Sequence, residues 1–360
     1  MADEYLLQKV HGLSDLELAV LLCLIGREHG ILSTPAEAID DLVQELLLIA
    51  RKTFGLECAV VDCDAETTLE AFASALLHPD MSTADASSQP RPASYFSSDP
   101  TKHSSSLPVT AGPTGQIANC ILAKNLNRAP RLVQIQALEL LRTRRIFTRT
   151  AVQTAPKQFV FLPLLEARSG GEAHVTAHLN DFFALAHWHD PDDGFVNLDE
   201  LDDGEADELA STGSVVRSRH MSDATSAVAE PLLSDAEIGQ LAQLSKEVQV
   251  DLDVLRYQMN IISFLRMHRA VASGTTPTAT KHFDMLVRCL APLHGLDYVT
   301  PALVELAARS VYLHRIQITE PEKERSLQWG SSLEAVRAIL VDLGPEDVID
   351  EVLETVTAPL

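Results

Sequence analysis

The chain has 360 residues with 28 basic and 51 acidic side chains, a net charge of -23. That length is long for one core and points to two domains. The charge argues against binding nucleic acid or an anionic membrane through the whole surface, which would need a local basic patch.

In chain order, Ser14-Asp15-Leu16-Glu17 is a capping box that opens an apolar helix through about Arg27, with Gly30 as its stop. Thr34-Pro35-Ala36-Glu37 reads as a second helix start, and Ile39, Leu42, Val43, Leu46 and Leu47 give that helix a buried stripe. Cys58–Asp62 is a short buried strand, and Thr67-Thr68-Leu69-Glu70 opens a helix to about Leu77. Residues 78–116 are rich in Ser, Pro, Thr and Ala without periodicity and read as a flexible insertion. A buried strand, Ile117–Ala123, then leads through a sharp turn to a helix begun by Pro130, with Leu132, Ile135, Leu138 and Leu141 expected on its buried face. A basic hairpin and a second buried strand, Phe159–Leu164, follow. Residues 199–233 are acidic and polar and read as a solvated linker.

From Ser234 helices return. Leu255, Met259, Ile262 and Leu265 mark one face, Phe283, Leu286, Val287 and Leu290 another, and Thr300-Pro301 opens a third helix. Residues 331–360 read as a last helical pair split at Gly344-Pro345. No apolar run reaches the roughly 18 to 20 residues of a membrane span, and Met1–Val10 has no signal-peptide pattern. The five cysteines, Cys23, Cys58, Cys63, Cys120 and Cys289, read as reduced core thiols, so the expected location is cytoplasmic or nuclear.

Two stretches resemble the magnesium-chelatase ATPase subunit and its MoxR relatives within the AAA+ proteins. One is Asn127-Arg128-Ala129-Pro130 with Val133, Gln134, Ala137 and Leu138, similar to the segment that follows Walker B. The other runs from Gly274-Thr275-Thr276-Pro277-Thr278-Ala279 through Asp297-Tyr298-Val299-Thr300-Pro301 to His314-Arg315-Ile316, similar to the family's helical lid. The resemblance implies a degenerate α/β AAA+ (P-loop-type) core over 1–198, the linker, an all-α lid over 234–326 and a helical extension over 327–360.

It also implies what is missing. Lys124 and Asn125 stand where the family has the Walker B Asp-Glu pair, Glu166 where it has a polar sensor, Phe182 where it has the arginine finger and Thr278 where it has the second sensor arginine. The turn Cys63–Thr68 takes the expected P-loop place without glycine or lysine, and G-x-x-x-x-G-K-[ST] occurs nowhere.

The expectation is therefore a protein-interaction scaffold without catalytic, metal or cofactor residues. Its partner is a protein, with a VWA-type subunit as one option, and it has the option of homo-oligomers; membrane and nucleic acid are not expected. The alternative is an ATPase subunit of a chelatase-like or MoxR-like complex, with ATP and Mg at an unorthodox site or one completed by another chain. The interaction candidates are Arg128, Arg142, Arg144, Arg145 and Arg149, whose guanidinium groups suit carboxylates or phosphates. His187 and His189 share a strand face, but no third metal ligand is placed by spacing.

Overall fold

The computed structural model describes residues 4–79, 115–147, 152–199 and 231–359. Most of the expected insertion (78–116) and linker (199–233), together with Arg149, lies outside the described residues. The N-terminal half contains helices α1 (Glu4–His11) and α2 (Asp15–Gly26), strand β1 (Gly30–Thr34), α3 (Ile39–Leu48), β2 (Cys58–Asp62), α4 (Leu69–Ala75), β3 (Cys120–Lys124), α5 (Arg131–Thr143), β4 (Val160–Glu166) and β5 (Leu185–Trp188).

The five strands form one parallel sheet in the order β2-β3-β4-β1-β5. Apolar runs suit strands buried on both faces. Along β3, Cys120 and Leu122 enter one core with α2, α3 and the C-terminal helices, while Ile121 and Ala123 enter the other, beneath α4 and α5.

The C-terminal half is helical: α6 (Asp235–Glu247), α7 (Leu252–Met267), α8 (Pro277–Leu293), α9 (Pro301–Tyr312), α10 (Leu333–Leu340) and α11 (Pro345–Thr355). A two-stranded antiparallel pair, Val271–Ser273 with Gln317–Ile318, closes its loops. Buried Phe283, Leu286 and Val287 of α8 belong to the same apolar cluster as Leu21 and Leu24 of α2, so the C-terminal helices share a core with the N-terminal helices.

Three expectations need correction. Thr34 does not cap a helix; Gly30–Thr34 is a fully buried strand, and α2 ends at Arg27, whose left-handed φ of 54° closes it. The α5 stripe is rotated: Val133, Ala137, Leu140 and Leu141 are buried, whereas Leu132 and Ile135 are 65% and 47% exposed. Gln134 fixes that rotation, because its buried amide donates to Ala129 O (3.0 Å) and its Oε1 accepts from Thr176 N–H (2.9 Å). On α7, Leu255 and Met259 are exposed, and Tyr257, Gln258 and Ile261 join Ile262 and Leu265 inside.

Candidate functional site

In open parallel sheets ligands bind outside the carboxyl ends of the strands, where the strand order reverses. Here that place is β1. Both its neighbours, β4 and β5, come later in the chain, and the connection leaving β1 crosses to β2 at the opposite edge.

The end of β1 is closed. Thr34 is fully buried; its Oγ1 donates to His189 O (3.0 Å) and its carbonyl accepts from Ala167 N–H (2.9 Å). Pro35 and one 3₁₀ turn, Ala36–Ala38, then lead directly into α3. The loop at the switch point is therefore Pro35–Ala38, not Cys63–Thr68. The latter follows β2 at the sheet edge and closes on itself: Asp64 Oδ1 accepts from Thr67 Oγ1 (2.8 Å) and Glu66 N–H (2.9 Å), which holds its carboxyl below the usual carboxylate range. The five residues of β1 were not apparent as a strand because glycine at one end and threonine at the other mimic a helix stop and a helix start.

Side chains tie the neighbouring strand ends together. Lys124, last in β3, forms an ion pair with Asp40 in the first turn of α3. Its pKa is raised by the hydrogen bond to Asp40, which outweighs the opposing desolvation, and the charges of Asp40, Asp62 and Glu166 add to the rise. Asn125, in the left-handed region at φ 55°, donates from Nδ2 to Glu166 Oε1 (2.9 Å), and Arg128 pairs with the other carboxylate oxygen. Lys124, Asn125 and Glu166 thus do share one site, as their sequence positions suggested, but their partners are one another, Asp40 and Arg128.

A second assembly lies between core and lid. Arg315 is buried; it donates to the carbonyls of Phe183, Ala184 (3.3 Å) and Val311 (2.5 Å), and to His282 Nδ1 (2.7 Å), with Asp181 Oδ1 3.6 Å from its Nε. Burial lowers its pKa to about 10, which leaves it charged. Burial and then Arg315 depress His282 to about 4, so a neutral ring faces the guanidinium. Asn180 Nδ2 donates to His314 O (2.6 Å), and Asp181 Oδ1 accepts from Thr276 Oγ1 (2.5 Å) at the start of α8. Phe182, at the expected finger position, is half-buried against the core beneath α5, and Thr278 is half-buried in the first turn of α8. Sequence reasoning found His314-Arg315-Ile316 but missed Arg315 as the clamp; its signal was an arginine close to Leu313 and Ile316 just after α9.

The four interaction candidates among the described residues do not form one cluster. Arg128 faces Glu166, and Arg144 donates to Lys157 O (3.2 Å) at the far end of α5. Arg142 and Arg145 are exposed with no charged partner among the described residues. The expected basic hairpin is present, with Arg145 opposite Thr154 and Phe147 opposite Val152.

His187 and His189 have ring centroids 6.3 Å apart and each leaves a buried Nε2 without a partner, but no metal-binding group of three forms among the described residues. His187 also borders a cleft of about 500 Å³ between α2, β5 and the lid helices, lined mainly by Leu18, Leu22, Leu286, Leu290 and Leu306. No described helix is long and apolar enough to cross a membrane.

A family model for the AAA lid domain matches residues 263–336. The fold is similar to that of a candidate ATPase from Cytophaga hutchinsonii, with a TM-score of 0.61 at 13% identity, over 99% of this chain and 94% of that one. A full-length MCM homolog from Methanopyrus kandleri matches with a TM-score of 0.42 at 11% identity, over 86% of this chain and 58% of that one. No curated protein matches the sequence. The chain is thus built as a parallel α/β core of the AAA+ type carrying an AAA lid domain.

Proposed function

We propose that this chain is a magnesium-chelatase/MoxR-like AAA+ protein that does not bind or hydrolyse ATP and works as a protein-interaction scaffold. The observation that carries the reading is the Lys124–Asp40 pair across the end of β1, β3 and α3. A nucleotide site needs backbone N–H groups and a lysine on the helix side to hold phosphate, and a carboxylate on the strand side to hold Mg. Here the polarity is reversed: the carboxylate is on the helix and the amine on the strand. Asp40, Asp62 and Glu166 all surround that amine, so an incoming triphosphate meets like charge. Two unit charges about 4 Å apart interact by roughly 1 kcal/mol in water and about 4 kcal/mol near a protein surface.

What remains is an AAA+ scaffold whose lid is held to its core by Arg315. Its partner is another protein, with a VWA-type subunit as the first to test, and its place is the cytoplasm or nucleus. Calorimetry with Mg-ATP on the purified chain tests the reading. No heat at millimolar nucleotide supports it. Micromolar binding returns the chain to the ATPases, with the site at the strand ends or completed by a second chain.

A further inference from the structure

We infer that the outward face of α5 docks an acidic amphipathic helix of a partner protein. The inference rests on the scaffold reading and supplies its surface and the chemistry of its partner.

At 100° per residue, Leu138, Arg131, Arg142, Ile135, Glu139 and Leu132 fall within about 120° of the α5 circumference. The core takes the opposite side, Val133, Ala137, Leu140 and Leu141. Leu132 and Ile135, 65% and 47% exposed, are neighbours at i and i+3, and Leu138 beyond them is half-buried. Single exposed leucines are ordinary, whereas aliphatic residues in line on one helix face present an apolar stripe.

The stripe is bordered by cations. Arg131 and Arg142 are exposed and have no charged partner among the described residues, and Arg128, paired with Glu166, stands just before the helix. Folding does not account for Arg131, because a cation in the first turn of a helix is disfavoured by the helix dipole. In a chain of net charge -23, arginines with no charged partner among the described residues, beside exposed leucines, are available to carboxylates from outside. Glu139 is the one acid on the face.

The complement of this surface is a helix with aliphatic residues three and four apart and Glu or Asp on either side of them. A nucleic acid fits less well. It offers no aliphatic side chains for Leu132 and Ile135, and its phosphates meet the field of the whole acidic protein.

The test is fluorescence anisotropy on the full chain with a labelled synthetic helix of about 18 residues, made of Glu, Ala and Leu with the leucines on one face. A scrambled peptide of equal composition and a labelled single-stranded oligonucleotide serve as comparison probes. The amphipathic peptide should bind at least about tenfold more tightly than the scrambled one. Added salt should weaken it, Leu132→Asp or Ile135→Asp should abolish binding, and Arg131→Ala with Arg142→Ala should weaken it and flatten the salt dependence. These positions are exposed, and circular dichroism checks that each variant is folded.

Equal binding of the scrambled peptide, preference for the oligonucleotide, or undiminished binding by the Asp variants would overturn the inference. So would self-association of the wild type that Leu132→Asp abolishes, since the occupant would then be a second copy. Mg-ATP calorimetry on the same sample separates the two claims. Heat with nucleotide removes the non-catalytic reading and leaves the peptide result standing, whereas no heat and no peptide binding removes only this surface.

Discussion

Arg315 of the lid and Asp181 of the core meet across the seam between the two halves, Nε to Oδ1, at 3.6 Å, with Arg315 buried among carbonyls it also serves. Removing the guanidinium would take its side-chain donor from the carbonyl of Ala184, leave the carbonyl of Phe183 with His314 Nε2 alone, and leave Asp181 short of its cation. Arg315→Met should lower stability by about 3–5 kcal/mol, read from urea unfolding. Arg315→Lys should not restore it, because a single ammonium cannot span the carbonyls that a planar fork reaches. If Arg315→Met does not fold, Asp181→Asn gives a smaller loss in the same direction; an unchanged urea midpoint in both variants would refute the clamp.

Gly274 is fixed by the same residue. A Cβ on Gly274 would fall 2.2 Å from the carbonyl oxygen of Arg315, and its φ of +123° is one that side-chain-bearing residues rarely adopt. Gly274→Ala should cost about 3 kcal/mol, seen as an earlier thermal transition. Full retention of stability would mean the two segments are not so close.

At the strand ends, the double change Lys124→Asp with Asn125→Glu restores two acids in sequence. It places them beside Asp40, Asp62 and Glu166. The expected outcome is no hydrolysis in a phosphate-release assay and a stability loss of about 1 kcal/mol. Adding Asp40→Lys should recover the loss by reversing the pair. Hydrolysis above background would contradict the scaffold reading.

Acid sensitivity should arise in part from His29, just before β1. Its ring is buried, its Nδ1 accepts from Phe161 N–H (3.2 Å), and burial lowers its pKa to about 3. The unfolded chain takes up a proton near pH 6.5 and the folded chain does not until far lower, so stability is full above pH 6.5 and falls as pH drops toward 3. At pH 5 the loss from this one group is about 2 kcal/mol. Glu28, raised by burial, acts in the opposite sense, so the comparison of wild type with His29→Gln between pH 7 and pH 5 isolates the histidine. Equal slopes for the two proteins would dismiss it.

Local chemistry was the legible part of the sequence. The capping box at Ser14 and the helix starts at Thr67-Thr68 and Thr300-Pro301 are found where the side chains demanded them, because each depends on residues within one turn. The rotation of α5 was not legible, since apolar residues occupy both its faces and the choice belongs to Gln134 and its partner Thr176, far along the chain. Nor was β1, whose identity depends on β4 and β5 pairing on either side of it. The strand-end site was half legible: Lys124, Asn125 and Glu166 were placed by their flanking motifs, but Asp40 was not, because its role exists only once β1 delivers α3 beside β3.

The brevity of the path from β1 to α3 also bears on the chain's history. Only Pro35–Ala38 separates Thr34 from Ile39, whereas a loop of the G-x-x-x-x-G-K-[ST] kind spans eight residues. Single-codon changes can alter the character of those four positions but cannot lengthen them. An insertion would be required, and it would draw Asp40 away from Lys124 in the same event. Every sequence within reach of this one by point mutation therefore inherits the four-residue path from β1 to α3.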